Sequence, residues 1–293
     1  MTKTRTLDSA PSSIPQFLRA GVGALPGTGH LPFLAGGGGD LPDLELALES
    51  VAVEPARLAE YCEVCEFTLR DALPVTYPHV LAFPLHMALL TDSSFPFPAI
   101  GMVHVANRIV QSRPIGIGEE LSLRVRAEDL QPHPKGTTFT LVSEARASGE
   151  LVWVGESVNL RRGGGSAEGG PKPEPAKPAE LSEEAEWKLP GDLGRSYGGV
   201  SGDRNPIHLY GLTAKAFGFP RQIAHGMWTK ARCLAALQGR LPDAYTVDVA
   251  FKKPIPLPST VGFGSRLGDG VIDFGVSRAK DGAPHLVGRV TGR

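Results

Sequence analysis

Cysteine, net charge and long apolar runs are all scarce in this chain, and each scarcity closes off a class of protein. Of 293 residues, three are cysteine: Cys62, Cys65 and Cys233. So few give no disulfide framework of the kind small secreted domains rely on. Cys62-x-x-Cys65 has the spacing of half a zinc site, but no second Cys or Cys/His pair completes it. Residues 55–67 place Leu58, Tyr61, Cys62 and Cys65 at helical spacing, so the cysteines read as small residues on a buried helix face. Lys and Arg number 30 against 31 Asp and Glu, leaving a net charge of −1. That balance carries no electrostatic footprint for nucleic acid or an anionic membrane. No apolar run approaches the ~20 residues that span a bilayer. Lys3 and Arg5 precede a stretch broken by Arg19 and by prolines, which does not suit a signal peptide. Free thiols without an export signal fit the cytoplasm.

Glycine and proline are abundant, 36 and 26 residues. Much of the excess lies in the first forty residues and in residues 162–180, R-G-G-G-S-A-E-G-G-P-K-P-E-P-A-K-P-A-E. The latter has nothing to bury and reads as a linker, reaching roughly 25 Å as a flexible coil. The expected organisation is an arm over 1–42, a first repeat over 43–161, the linker over 162–180 and a second repeat over 181–293. Gly21-Val22-Gly23 lacks the third glycine and the preceding strand of a dinucleotide fingerprint.

The two parts resemble each other. Val103-His104-Val105-Ala106 matches Val247-Asp248-Val249-Ala250, and Arg113-Pro114-Ile115 matches Lys253-Pro254-Ile255. Tyr61-x-x-Val64 matches Tyr197-x-x-Val200. Strands are expected around Val51–Val53 and Trp187–Leu189, each before a helix, which points to an internal duplication. In the second part, strands are expected near 245–252, 261–266, 271–279 and 285–290. The segment from Gly226 to about Gln238 is apolar most of the way round, as in a helix wrapped by other structure. The corresponding helix of the first part, around Leu81–Leu90, contains Pro84 and reads as short.

The chemistry concentrates in Ser201-Gly202-Asp203-Arg204-Asn205-Pro206-Ile207-His208. Gly202 permits a tight turn, and Asn205-Pro206 fixes its exit. A rigid loop of this kind can aim the Asp203 carboxylate and the His208 imidazole at one point. Asn205 has an amide to orient a carboxylate or water, and Ser201 can cap a turn. Seventeen residues on, His225-Gly226-Met227 opens the apolar helix, so the Gly226 N–H stands where unpaired donors and the helix dipole favour negative charge. By the Tyr61/Tyr197 match, Phe67 stands in the first repeat where Asp203 stands in the second.

With its flanks, Tyr197-x-x-Val200-Ser201-Gly202-Asp203-x-Asn205-Pro206-Ile207-His208, followed by Phe217-Gly218 and Ile223-Ala224-His225-Gly226-Met227, this segment resembles the hydratase 2 motif of MaoC-like enzymes. The resemblance implies an α+β double hot-dog fold, two curved antiparallel sheets each around a central helix, with a degenerate first repeat. It implies reversible hydration of trans-2-enoyl thioesters to (3R)-3-hydroxyacyl thioesters. Asp203 and His208 would activate water, Asn205 would organise the loop, and the Gly226 N–H would hold the thioester oxygen. Ser201, Arg204, His225 and Met227 are the further candidates for substrate contact. No metal or redox cofactor is implied; the expected partner is an acyl-CoA or acyl-carrier-protein substrate, and homodimerisation stays open. Arg204 could face Asp203, a substrate phosphate or solvent. Arg221, Lys230, Arg232, Lys252 and Lys253 are further candidates for phosphates or an acidic carrier.

Three other readings stand beside it. Asp203, His208 and His225 could be a carboxylate and two imidazoles on iron or zinc. The fold could bind acyl thioesters without turnover. It could also act as a thioesterase, which releases free thiol where hydration leaves the thioester intact.

Overall fold

A computed structural model of the chain describes residues 3–11, 39–99, 101–163 and 181–293. Most of the arm expected over 1–42 and nearly all of the linker expected over 162–180 lie outside the described residues. Contacts divide the chain into two compact units that interleave along the sequence. The first takes in Met1–Ala52, Pro78–Val105 and Glu119–Lys172; the second takes in Val53–Tyr77, Ala106–Gly118 and Pro173–Arg293.

In the first unit the strand order is β1-β2-β4-β5-β6-β3. The strands are β1 (Lys3–Thr6), β2 (Leu44–Val51), β3 (Met102–Gln111), β4 (Leu121–His133), β5 (Gly136–Ala147) and β6 (Glu150–Arg162). β1 runs parallel to β2, and β2, β4, β5 and β6 are antiparallel neighbours. Alternation along β4 puts Leu121, Leu123 and Val125 inside with no exposed surface, the period-2 signature of a half-buried strand. The strand expected at Val51–Val53 ends at Val51, because Glu54-Pro55 already starts a helix. The first unit's helix is not short: α2 runs Tyr77–Leu90, 14 residues. Pro78 sits in the first turn, where its missing N–H costs nothing. Pro84 removes one helical bond, but Ala82, Leu85 and Leu89 are wholly buried around it, and packing holds the helix.

The second unit contains the remaining strands and helices. β7 (Ser182–Leu189), β8 (Tyr245–Phe251), β9 (Ser259–Gly268), β10 (Val271–Arg278) and β11 (Pro284–Gly292) join the second half of β3 in the order β3-β8-β11-β10-β9-β7. All of these neighbours are antiparallel. Ala106 of β3 pairs with Ala250 of β8, its own counterpart in the sequence match. The apolar helix is α6 (Gly226–Ala236), with Met227, Trp228, Ala231, Cys233 and Leu234 buried. Residues 53–77 of the first repeat belong here too. α1 (Pro55–Cys65) buries Leu58, Tyr61, Cys62 and Cys65, the face its periodicity predicts. It packs against α3 (Leu193–Ser201) and α6, and Trp228 Nε1 donates to the Val64 carbonyl at 3.0 Å.

Two features of the second unit show the duplication at backbone level. α1 ends at Glu66 with φ 60°, and α3 ends at Gly202 with φ 76°. These are equivalent positions, and both helices exit through the left-handed region. The carbonyls of Ile115 and Ile255, also equivalent, accept the N–H groups of Leu73 and Ala224. That places Pro74-Val75 where the second repeat has His225-Gly226. Among the described residues no helix is long and apolar enough to cross a membrane.

Candidate active site

α3 presents Leu193, Tyr197 and Ser201 inward and stops at Gly202. Glycine takes a left-handed φ without steric cost, so the chain breaks away there and the next residue, Asp203, leaves the helix axis. The loop is then held by its own polar atoms. Ser201 Oγ donates to the Tyr197 carbonyl at 2.7 Å and accepts the Asp203 N–H at 3.2 Å. Asp203 Oδ1 accepts the Asn205 N–H at 3.1 Å, and Asn205 Oδ1 accepts the Ile207 N–H at 3.3 Å. Asn205 thereby caps α4 (Pro206–Leu209), with Pro206 in the first helical position, where its fixed φ suits a helix start. Gly194 is required for close approach: a β-carbon there would lie 1.9 Å from the His208 carbonyl oxygen. α3 thus lies directly on the turn that carries His208.

His208 is 9% exposed and His225 2%. His208 Nδ1 lies 2.7 Å from the Ile223 carbonyl. A carbonyl only accepts, so Nδ1 carries the proton and Nε2 of the neutral ring keeps its lone pair. His225 Nε2 lies 3.0 Å from the Asp203 carbonyl and 3.8 Å from Asp203 Oδ2; it is likewise the protonated nitrogen. His225 Nδ1 is buried without a hydrogen-bond partner. The Tyr197 ring stands 4.9 Å from that of His225.

Desolvation sets the charge states. It raises the Asp203 carboxyl above its ordinary value, against the opposing pull of His208 and of the Asn205 N–H. It lowers His208, opposed by Asp203 and by the Ile223 carbonyl. It drives His225 well below the usual histidine range, with His208 adding to the effect. Both rings are therefore neutral near pH 7, and the Asp203 side chain, 29% exposed, is the least buried of the three.

Gly226 is the first residue of α6, and His225 precedes it in extended conformation. The first N–H groups of a helix have no acceptor within it, so the Gly226 N–H is available for a ligand oxygen. Met227 is buried in the same turn, and Arg204 is exposed on the outer side of the loop. The motif residues therefore gather around one point: Asp203, His208 and His225 each offer an atom within 4.8 Å of the other two. That spacing also suits a metal triad, but the ring geometry does not. The planes of His208 and His225 are only 24° apart. An ion at the ~2.1 Å of an imidazole bond could not lie in both planes.

Two of the expected phosphate ligands are placed elsewhere. Lys230 is fully buried, and its Nζ donates to Asn107 Oδ1 at 2.6 Å and to the Val247 carbonyl at 3.1 Å. It lies on a helix face that the sheet covers, which its charge alone conceals from a reading of sequence. Arg232 pairs with Glu66 at 2.6 Å and lies over the Trp187 ring at 4.2 Å. Arg221, Lys252 and Lys253 are exposed. Sequence reasoning missed the Ile223 carbonyl, because a backbone acceptor leaves no mark in side-chain chemistry. It also missed Phe251, whose ring packs on Gly226.

Comparison with known proteins gives the family and the fold. Residues 170–275 match the family model described as MaoC like domain. The chain is 38% identical to 3-hydroxyacyl-thioester dehydratase X of Mycobacterium tuberculosis over 283 residues, 96% of this chain and 99% of that protein. The crystal structure of HtdX from the same organism superposes with a TM-score of 0.75 at 36% identity, covering 85% of this chain and all of the other. A further M. tuberculosis protein described as having a double hotdog fold superposes at 0.57 with 13% identity, over 87% of this chain and 98% of its own. The fold is the α+β double hot-dog.

Proposed function

Since this chain belongs to the MaoC-like dehydratase family, we propose that it catalyses the reversible hydration of trans-2-enoyl thioesters to (3R)-3-hydroxyacyl thioesters. The observation that carries the reading is the His208 tautomer. Its Nδ1–H is engaged by the Ile223 carbonyl, which leaves a basic Nε2 beside the Asp203 carboxylate at the mouth of the helix that begins with Gly226.

In the hydration direction, a water held between Asp203 and His208 attacks C3 of the enoyl group. Its proton passes to the dyad as the C3–O bond forms. The C2–C3 π electrons move toward the thioester, the oxygen gains negative charge, and the Gly226 N–H meets it; one such donor is typically worth about 3 kcal/mol. C2 then takes a proton from the dyad, so the two protons of water end on the 3-hydroxyl and on C2. Dehydration follows the same path in reverse. Asp203 and His208 interact closely enough to titrate as a pair, and the base is the dyad rather than one member of it. Asn205 and Ser201 hold the loop through backbone bonds, and His225 holds the Asp203 carbonyl. The reaction class is that of the related M. tuberculosis dehydratase.

The test uses purified protein with trans-2-enoyl-CoAs of increasing chain length. Loss of enoyl absorbance with formation of the (3R)-alcohol is the expected result. Release of free thiol without water addition would instead make the protein a thioesterase. Binding of these thioesters with no turnover under any condition would make it a carrier.

A further inference from the structure

The stretch that holds Asp203 and His208 turns a second face to solvent. From Leu193 to Ala224 the exposed charged residues are Arg195, Arg204, Lys215 and Arg221, and the one carboxylate is Asp203. The chain as a whole is balanced, 30 basic against 31 acidic residues, so this local excess is not a reflection of composition. The same stretch carries Tyr210 at 56% exposure and Leu212 at 83%, the latter the most exposed large apolar residue among those described.

These residues form one patch. The Arg195 guanidinium lies 5.2 Å from the Tyr210 ring centroid and donates to the Leu209 carbonyl at 3.1 Å. Leu212 and Lys215 are three residues apart on α5 (Gly211–Ala216), hence on one face. The opposite face is anchored, with Ala214 packed among Ile207, Phe219 and Ile223. Gln222 lies over Gly211, its Oε1 3.1 Å from where a β-carbon would stand, and Arg221 is its exposed neighbour in the chain. Among the described residues Arg204, Lys215 and Arg221 make no ion pair. Tyr210 stands two residues after His208.

An exposed leucine and tyrosine beside Arg195 and Lys215, in a stretch whose other exposed charges are cations as well, is the complement of a surface with an apolar ridge set among carboxylates. A nucleotide would use the cations but leave Leu212 in water; an acidic protein uses both. Building on the thioester reading above, we infer that this patch docks an acidic acyl carrier protein, which delivers its substrate on a phosphopantetheine arm. The apolar pair is the anchor, and the cations steer the encounter.

The experiment compares one enoyl group on three carriers, N-acetylcysteamine, CoA and an acidic acyl carrier protein, with wild type, Leu212→Asp and Lys215→Glu/Arg221→Glu. Binding of the labelled carrier protein is followed by fluorescence anisotropy. The expected result is a loss of about tenfold or more in carrier-protein affinity and in kcat/KM on the protein-bound substrate, carried by KM and reduced at high salt. Turnover of the two small thioesters should stay within about twofold. An equal loss on CoA would convert the patch into a nucleotide-phosphate site and overturn the proposal. Unchanged carrier-protein binding in both variants would overturn it as well, as would wild-type self-association that the substitutions abolish. Wild type that binds the carrier protein through the patch but turns over none of the three thioesters would refute the reaction proposed above and leave the docking surface supported.

Discussion

The imidazole rings of His208 and His225 are stacked, with centroids 3.7 Å apart and planes 24° from parallel. Two protonated rings at that distance would repel strongly in a site with little water. Burial keeps both neutral, and each spends its N–H on a backbone carbonyl. In the mechanism we propose, His225 supports the base from behind: its ring backs His208 while its N–H secures the carbonyl of Asp203.

Replacing His225 by Leu should therefore lower kcat by about 10-fold to 100-fold while changing KM little, because the loss is in placement of the dyad. Steady-state kinetics on one enoyl-CoA decides this. A change confined to KM would instead assign His225 to ground-state substrate binding.

Asp203→Asn and His208→Gln should each reduce turnover by about a thousandfold or more if the two act as a unit. Stability should move the other way for Asp203. Its folded pKa is raised by burial, so keeping it ionised at pH 7 costs folding free energy, and that strain is relieved only as pH falls through its folded pKa. Asp203→Asn is expected to melt at or above the wild-type temperature by calorimetry at pH 7. A clear drop would mean that the carboxylate supports the loop more than burial penalises it.

Gly226→Pro removes the proposed oxyanion donor at a position where proline fits a helix start. His225 before it has φ −68° and ψ 138°, the extended geometry that proline demands of its predecessor. A β-carbon at Gly226 would stand 3.0 Å from the Phe251 ring, so the variant is made with Phe251→Leu. Against Phe251→Leu alone, kcat should fall about 10²-fold to 10³-fold with the melting temperature little changed. Equal rates in the two proteins would remove the Gly226 N–H from the mechanism.

Acid should destabilise the protein through its buried histidines. Burial lowers His86 to about 4, and it lowers His208 and His225 as well. Between pH 6.5 and about 4 the unfolded chain takes up a proton at His86 while the folded chain does not, so stability falls as pH falls through that window, and His208 and His225 act in the same direction below pH 6.5. For His86 the loss is complete near pH 4 and amounts to about 3 kcal/mol. Urea melts across this range check it, and His86→Asn should flatten the slope.

The fold was legible where the signal was redundant. The helix from Gly226 is apolar on almost every side, and the strand pattern after it alternates, so a sheet around a buried helix follows from burial alone. The motif was legible because Gly202, Asn205 and Pro206 have backbone preferences that few other residues share. Other parts were hidden for physical reasons. Lys230 reads as a surface charge, yet its amine sits among three oxygens of β3 and β8. α2 reads as short because Pro84 carries a penalty that packing outweighs. The left-handed exit at Glu66 has no glycine to announce it, so the equivalence of the two helix ends appears only in the backbone.

One consequence follows from where α1 lies. Tyr61 and the stretch around it come from the early part of the chain, but they rest against Tyr197, with ring centroids 6.3 Å apart, and cover the helix that delivers Asp203. Severing the polypeptide between its two copies and expressing the later fragment by itself would uncover Tyr197, Trp228 and their neighbours to water. The later copy does not own all of its interior, because part of that packing is supplied by the earlier one.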